Sequence, residues 1–300
     1  MIDAFTTPQV YVRKPMHDKP QAAPAQEFAL SGHAALALSG RDAVGFAQAQ
    51  FMNDVTVLAD GQWQWNGWLT PKGRVIALFA LLRLDAETLW LVLLPEADAA
   101  GLAARLQRFV FRSKVTLAPL AMPVAGCFAA VPAAAGARMG QLDEGRLALD
   151  VGGDGGPRTL LLGGAPAPAD PQAEAAWLRA DLAHGLPWLP AAQTEQWTPQ
   201  QLSLDRLAAF SVKKGCYPGQ EIVARTHFLG QAKRGLVLLE GDVPLAAGAE
   251  LRRNDQLLGS VVSSAGTLSL AVLPLGHGDG IQGPGGVPLR EQSLLAGLAR

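Results

Sequence analysis

Apolar residues along this 300-residue chain repeat with two different periods, and the changes of period mark out the elements. The stretch "EFALSGHAALALSG" (27–40) alternates and then breaks at glycine, which predicts a strand hairpin. In "SGRDAVGFAQAQFMNDV" the residues Val44, Ala47 and Phe51 share one helical face. Ser39 stands as an N-cap, so a helix ending near Asn53 is expected. "QWQWNGWLTPKGRVIALFALLRLDAETLWLVLL" (62–94) reads as consecutive strands with turns at Asn66-Gly67, Pro71-Lys72-Gly73 and Asp85-Ala86. Its Trp63, Trp65 and Trp68 are expected on one sheet face. A second helix follows, with Leu102, Leu106, Phe109 and Val110 inward. Arg105, Arg108 and Arg112 gather near its C-terminal end, where positive charge suits the helix dipole.

From 120 to 170 the chain is rich in Ala, Gly and Pro, with a short strand in "RLALDV" and a glycine turn at "GGDGGP". This predicts a second, looser sheet-and-helix unit. Its helix lies in "QAEAAWLRADLAHGLPWLP", ended by Gly185 and Pro187. "TPQQLSLDRLAAF" offers Thr198 as N-cap and Pro199 at the first helical position. After Lys233 short strands follow one another, with a turn at Asn254-Asp255, which predicts a small β-barrel. The expected organisation is a flexible leader (1–27), a first α+β unit (28–120), a second α+β unit (121–231), and a barrel with a flexible tail (232–300).

Composition narrows the classes. Hydrophobic residues make up 49% and charged residues 17%, as in a globular chain. A formal net charge of −1 argues against a dedicated nucleic-acid binder, so direct nucleic-acid binding, which Arg105, Arg108, Arg112 and Lys114 would have to carry, is the weakest reading and is not expected. Two cysteines, Cys127 and Cys216, exclude a disulfide framework and a self-contained four-cysteine cluster, and suit a reducing, cytoplasmic setting. The apolar runs at 75–84 and 89–95 are too short for a membrane span. The first 26 residues lack the apolar core of a signal peptide.

The chemistry concentrates in "FSVKKGCYPGQEIVARTHFLGQAKR" (210–234). Here Cys216 is a nucleophile, a cluster ligand or a small residue in a tight turn. Lys213 and Lys214 would lower its thiol pKa if they approach it. No His/Asp pair stands at the spacing of a hydrolase motif, and His227 alone is a weak base candidate. A second polar concentration, "NGWLTPKGR", places Asn66, Lys72 and Arg74 around two turns beside the tryptophans. It reads either as an ordinary hairpin or as a site for a planar acidic ligand. Asn53 and Asp54 end the first helix. Trp177 is either helix core or one wall of a ring-stacking slot. Cys127 reads as core, and His17, His33 and His277 have no metal-ligand spacing. "GDGIQG" (278–283) matches G-x-G-x-x-G in letters only, because "PGG" follows where a helix should start. It is expected to be a flexible loop.

"KKGCYPGQEIVAR" closely resembles the K-G-C-[FY]-x-G-Q-E signature of the YgfZ family, folate-binding proteins related to the aminomethyltransferase (T-protein) of the glycine cleavage system. The resemblance runs from about residue 28 to 275, with "FMNDVT", "PKGRV", "FRSKV" and "HGLPWL" in the family's order. It implies an α+β, aminomethyltransferase-like fold: two α+β subdomains and a C-terminal β-barrel in a ring around a central cavity. It implies tetrahydrofolate, or a one-carbon derivative, in that cavity, and a role in making or repairing iron–sulfur clusters in client enzymes, including ones that thiolate tRNA. Cys216 takes the place of the motif cysteine, and Trp177 matches a tryptophan associated with folate. His33 stands where some relatives have another tryptophan.

On that resemblance Cys216 is the key thiol, in transient contact with a cluster, while Lys214, Lys213 and Arg225 keep it anionic or meet the folate tail. Gln220 and Glu221 fix the loop, with Glu221 pairing with Arg225. Asn53, Asn66, Lys72 and Arg74 join Trp177 and His33 as folate contacts. No metal site of the chain's own is expected. From Gly61 through Leu84 there is no Asp or Glu, so the carboxylate of an aminomethyltransferase is missing from its expected stretch. The alternatives are a folate-stabilised scaffold that docks clients and a folate-dependent one-carbon transferase. A monomer is expected, because a ring of three subdomains closes within one chain.

Overall fold

The computed structural model describes residues 26–230 and 232–300, so the expected leader lies, as far as residue 25, outside the described residues. Strand β1 (Phe28–Ala29) is followed by β2 (Ala34–Ser39), α1 (Ala43–Gln50), β3 (Gln62–Leu69), β4 (Val75–Arg83), β5 (Thr88–Leu93), α2 (Ala99–Gln107) and β6 (Thr116–Leu120). The last five strands form one antiparallel sheet in the order β3-β4-β5-β2-β6. Strand β4 is an unbroken apolar run because both its faces are covered. Phe79 and Leu81 pack under the two helices, while Leu78, Ala80 and Leu82 face the molecular centre.

The second unit contains β7 (Val124–Cys127), β8 (Gly140–Gln141), β9 (Leu147–Asp150), β10 (Thr159–Leu162) and α3 (Pro171–Ala183). Its sheet runs β1-β7-β10-β9-β8. The predicted hairpin over 27–40 is therefore not made: β1 pairs with β7 across the unit boundary, Phe28 opposite Gly126. Phe28 is buried against Trp177 and Phe128, and this aromatic packing, with Leu30 N–H on the Val124 carbonyl, carries the strand into the second unit. Helix α3 ends where its sequence predicts, and its start is fixed by a cap that the reading did not name. Asp170 caps the Gln172 and Ala173 N–H groups with Pro171 at the first position, and Gly185 (φ 72°) ends it.

Four local readings change. Asn66-Gly67 lies inside β3, not in a turn. A Cβ at Gly67 would stand 2.7 Å from the Ala77 carbonyl oxygen, so the glycine serves close approach. Trp63 and Trp65 face the centre while Trp68 packs under the helices, since a three-residue step along a strand reverses the face. Phe109, expected inward, is 49% exposed just beyond the end of α2. Residues 198–210 form turns and a short 3₁₀ stretch (Leu204–Leu207) between left-handed Ser203 and Ala208. Leu202, Leu204, Leu207 and Ala209 are all buried there, more than one face of an α-helix would place inside.

Helix α4 (Gln220–Phe228) leads to the barrel, formed by β11 (Arg234–Glu240), β12 (Glu250–Arg253), β13 (Gln256–Ala265), β14 (Leu268–Pro274) and β15 (Arg290–Gln292) in the order β12-β13-β14-β11-β15. The Asn254-Asp255 turn has both residues at positive φ (47° and 63°), as a tight hairpin requires. "GDGIQG" is built into the barrel: Ile281 lies in its core and Gln282 bridges Arg252 and Pro288.

The tail, expected to be flexible, is seated between the two α+β units. Leu298 is 2% exposed, and its carbonyl accepts the Trp65 indole N–H at 2.8 Å. The Asp154 N–H donates to the Ala296 carbonyl, and the Asp154 carboxylate accepts from the Ala296 N–H. Arg300 lies over Trp63 and donates to the Asp150 and Gly152 carbonyls. The leucines at 294, 295 and 298 supply the apolar surface that holds it, a pattern too short to read as an element.

Candidate functional site: an exposed thiol on a pinned loop

The site is built from two turns far apart in sequence. Gly219 (φ 80°) lies against the Thr70–Gly73 turn so closely that a Cβ there would stand 2.7 Å from Gly73 Cα and from the Thr70 carbonyl oxygen. Gly73 in turn lies under Ile222 of α4. "PKGR" and "KGCYPGQE" thus form one surface feature.

Lys214 anchors the loop. An ammonium group has three donors, and buried Lys214 places them on the carbonyls of Gln48, Phe51 and Asn53 at 2.7, 2.7 and 2.9 Å, where α1 ends. Desolvation pulls its pKa down to about 8, with the Asp54 charge opposing. The Tyr217 ring lies 5.1 Å from Lys214 Nζ, and its hydroxyl donates to the Ser211 carbonyl. Burial pushes that phenol up to about 12. Gln220 donates to the Lys214 carbonyl, as expected of a loop-fixing residue.

With Lys214 and Tyr217 turned inward, Cys216 is left exposed as a free thiol. Lys214 is thereby committed to backbone carbonyls rather than to the sulfur. Glu221 and Arg225 are both exposed on α4, and the expected ion pair between them is not formed. Cys127 is a core residue in β7, its thiol pushed up by burial.

The residues expected to meet folate divide into three groups. His33 and Trp177 line a central cavity together with Trp65 and Asp181. Lys72 and Arg74 line a different, open groove. Asn53 and Asn66 tie α1 to β3. Asn66 Oδ1 accepts from the Asn53 and Gly67 N–H groups, and Asn53 Nδ2 donates to the Trp65 and Ala208 carbonyls.

The central cavity measures about 20 Å³, room for a single water and not for a pterin ring. Its donor set is nonetheless polar. His33 Nδ1 is buried without a partner, and burial pulls that imidazole down to about 4. Asp181 pairs with Arg158 at 2.7 Å, and the guanidinium lies 4.8 Å from the Trp177 ring centre. Reduced folate therefore does not fit between Trp65 and Trp177 in this arrangement. The Asp181–Arg158 pair escaped the sequence reading, although Trp177 and Asp181 stand four apart, on one helical face.

No family model matches the chain. Its fold is that of an aminomethyltransferase. The glycine cleavage system aminomethyltransferase T from Bartonella henselae superposes with a TM-score of 0.69 over 90% of this chain and 85% of that one, at 19% identity. In sequence, the chain resembles the YgfZ proteins. It is 29% identical over 281 residues to the tRNA-modifying protein YgfZ of Cronobacter sakazakii, covering 82% of this chain and 83% of the relative. It is 28% identical over 269 residues to the protein of that name from Klebsiella pneumoniae, covering 79% and 81%. The resemblance expected over about residues 28 to 275 does extend over most of both chains. Among the described residues no helix is long and apolar enough to cross a membrane.

Proposed function

We propose that this chain supports iron–sulfur-dependent tRNA modification in the cytoplasm, with Cys216 as its working thiol. The observation that carries this reading is the contrast within one loop: Lys214 and Tyr217 are buried and fully bonded, while the thiol between them is exposed. Such a loop presents sulfur to another protein at little entropic cost, because its backbone is already ordered. The thiol would release its proton to water and lend one thiolate ligand to a client's cluster, the remaining ligands coming from the client. The relatives' name supports the tRNA link.

Reduced folate belongs to this proposal only with the tail displaced, and no step of the thiol's chemistry is routed through it. A monomer suffices, since the thiol, its loop and its anchor come from one chain.

A second reading, a client-docking scaffold, is favoured by α4 and the residue after it. There Ile222, Phe228 and Leu229 are 37%, 66% and 83% exposed, within thirteen residues of Cys216 in the sequence. Complementation of cells lacking this protein, read as thiolated tRNA by mass spectrometry, separates the two. The thiol reading expects Cys216→Ser to fail. The scaffold reading expects Cys216→Ser to succeed and Phe228→Glu/Leu229→Glu to fail.

A further inference from the structure

Beside the thiol loop runs an open groove of about 620 Å³, closed on one side by Pro218 and lined by Lys72, Arg74, Arg105 and Arg108 against the single carboxylate of Glu195. Glu195 pairs with Arg105 at 2.6 Å, and Arg74 donates to the Gln196 carbonyl and to Gln201. Lys72 and Arg108 are exposed and take part in no ion pair among the described residues. Trp68 forms part of the wall, and its buried indole N–H has no partner. Phe109 meets Trp68 edge-on at 5.7 Å and is 49% exposed, and Phe111 just beyond is 85% exposed with Arg112 over its ring. From Arg105 to Lys114 the sequence "RLQRFVFRSK" carries four cations, two exposed phenylalanines and no acid.

We propose that this groove and the adjoining 105–114 segment bind single-stranded RNA. Phosphates would lie on Lys72 and Arg108 and bases on the rings of Phe109 and Phe111. Cations interleaved with exposed aromatic faces are what a strand with one charge and one π-face per nucleotide requires. An acidic peptide would answer the cations but leave the exposed rings of Phe109 and Phe111 uncovered. The whole-chain charge of −1 pointed away from nucleic acid because it averages this basic face with acidic surface elsewhere. The proposal goes beyond the thiol reading and stands without it. It brings RNA alongside Pro218, two residues from Cys216.

Fluorescence anisotropy of an end-labelled, unstructured ten-nucleotide oligoribonucleotide, titrated with the full chain between about 50 and 200 mM salt, tests this. The expected result is affinity that falls with salt. Lys72→Gln and Arg108→Gln should each lower the slope of log K against log salt by about 0.7. Phe109→Ala and Phe111→Ala should each weaken binding on the order of ten-fold with the slope unchanged. All four side chains are exposed, and circular dichroism would verify that the variants fold. Absence of salt-sensitive binding, or binding indifferent to these variants, would overturn the proposal. So would a polyglutamate peptide that binds where the oligonucleotide does not, which would mark the groove as a docking face for an acidic protein.

Discussion

The thiol loop and the central cavity both bury polar groups, and they are organised in opposite ways. In the loop, the buried charge has all its donors satisfied and the free thiol is outside. In the cavity, an imidazole nitrogen is buried without a partner, as are parts of the guanidinium paired with Asp181 in its wall, and the tail is hydrogen-bonded to Trp65 of the same wall. A fully bonded anchor resists change, whereas an under-bonded cavity under a short tail is where a ligand can compete. The loop is therefore the fixed part of the site and the cavity the adjustable part.

Lys214→Met should break the fixed part and have the largest effect. It strands three carbonyls at the end of α1, and the expected loss is about 4 kcal/mol, a fall in Tm on the order of 10 °C by calorimetry. Deleting residues 294–300 opens the adjustable part. Losing the Leu298 burial and the Trp65 hydrogen bond should cost about 3 kcal/mol. In return, tetrahydrofolate titrated by calorimetry should bind at least about ten-fold more tightly than to the intact chain. Equal binding by both chains would show that the tail does not guard the cavity.

Two pH responses sharpen the contrast. His33 has a folded pKa of about 4 against 6.5 unfolded, so its contribution to stability is complete above 6.5 and is lost as pH falls toward 4. Urea unfolding should show that loss, and His33→Leu should reduce it. Lys214 titrates near 8 when folded and 10.5 when unfolded. Between those values the unfolded chain holds more protons, so the stability gap between wild type and Lys214→Met should widen as pH rises from 8. This is the smallest of the expected effects.

Much of this was legible in the sequence, for identifiable reasons. Local signals carried α3, stopped by Gly185, and the Asn254-Asp255 hairpin. The signature carried the loop and Cys216. What could not be read locally was set by distant packing. Phe28 crosses to the second sheet to meet Trp177, and Gly67 sits within a strand because Ala77 presses on it. The carbonyls that hold Lys214 lie more than 160 residues before it. The seated tail escaped for the same reason: three leucines and an arginine have no period, only a receiving surface.

The most direct test of the account is selective alkylation of the intact protein with iodoacetamide, mapped by mass spectrometry and followed by assay of support for an iron–sulfur tRNA-thiolating enzyme. The account expects Cys216 to react while buried Cys127 is protected, the Tm to stay unchanged, and the support to disappear. A protein fully alkylated at Cys216 that still supports the client would contradict it.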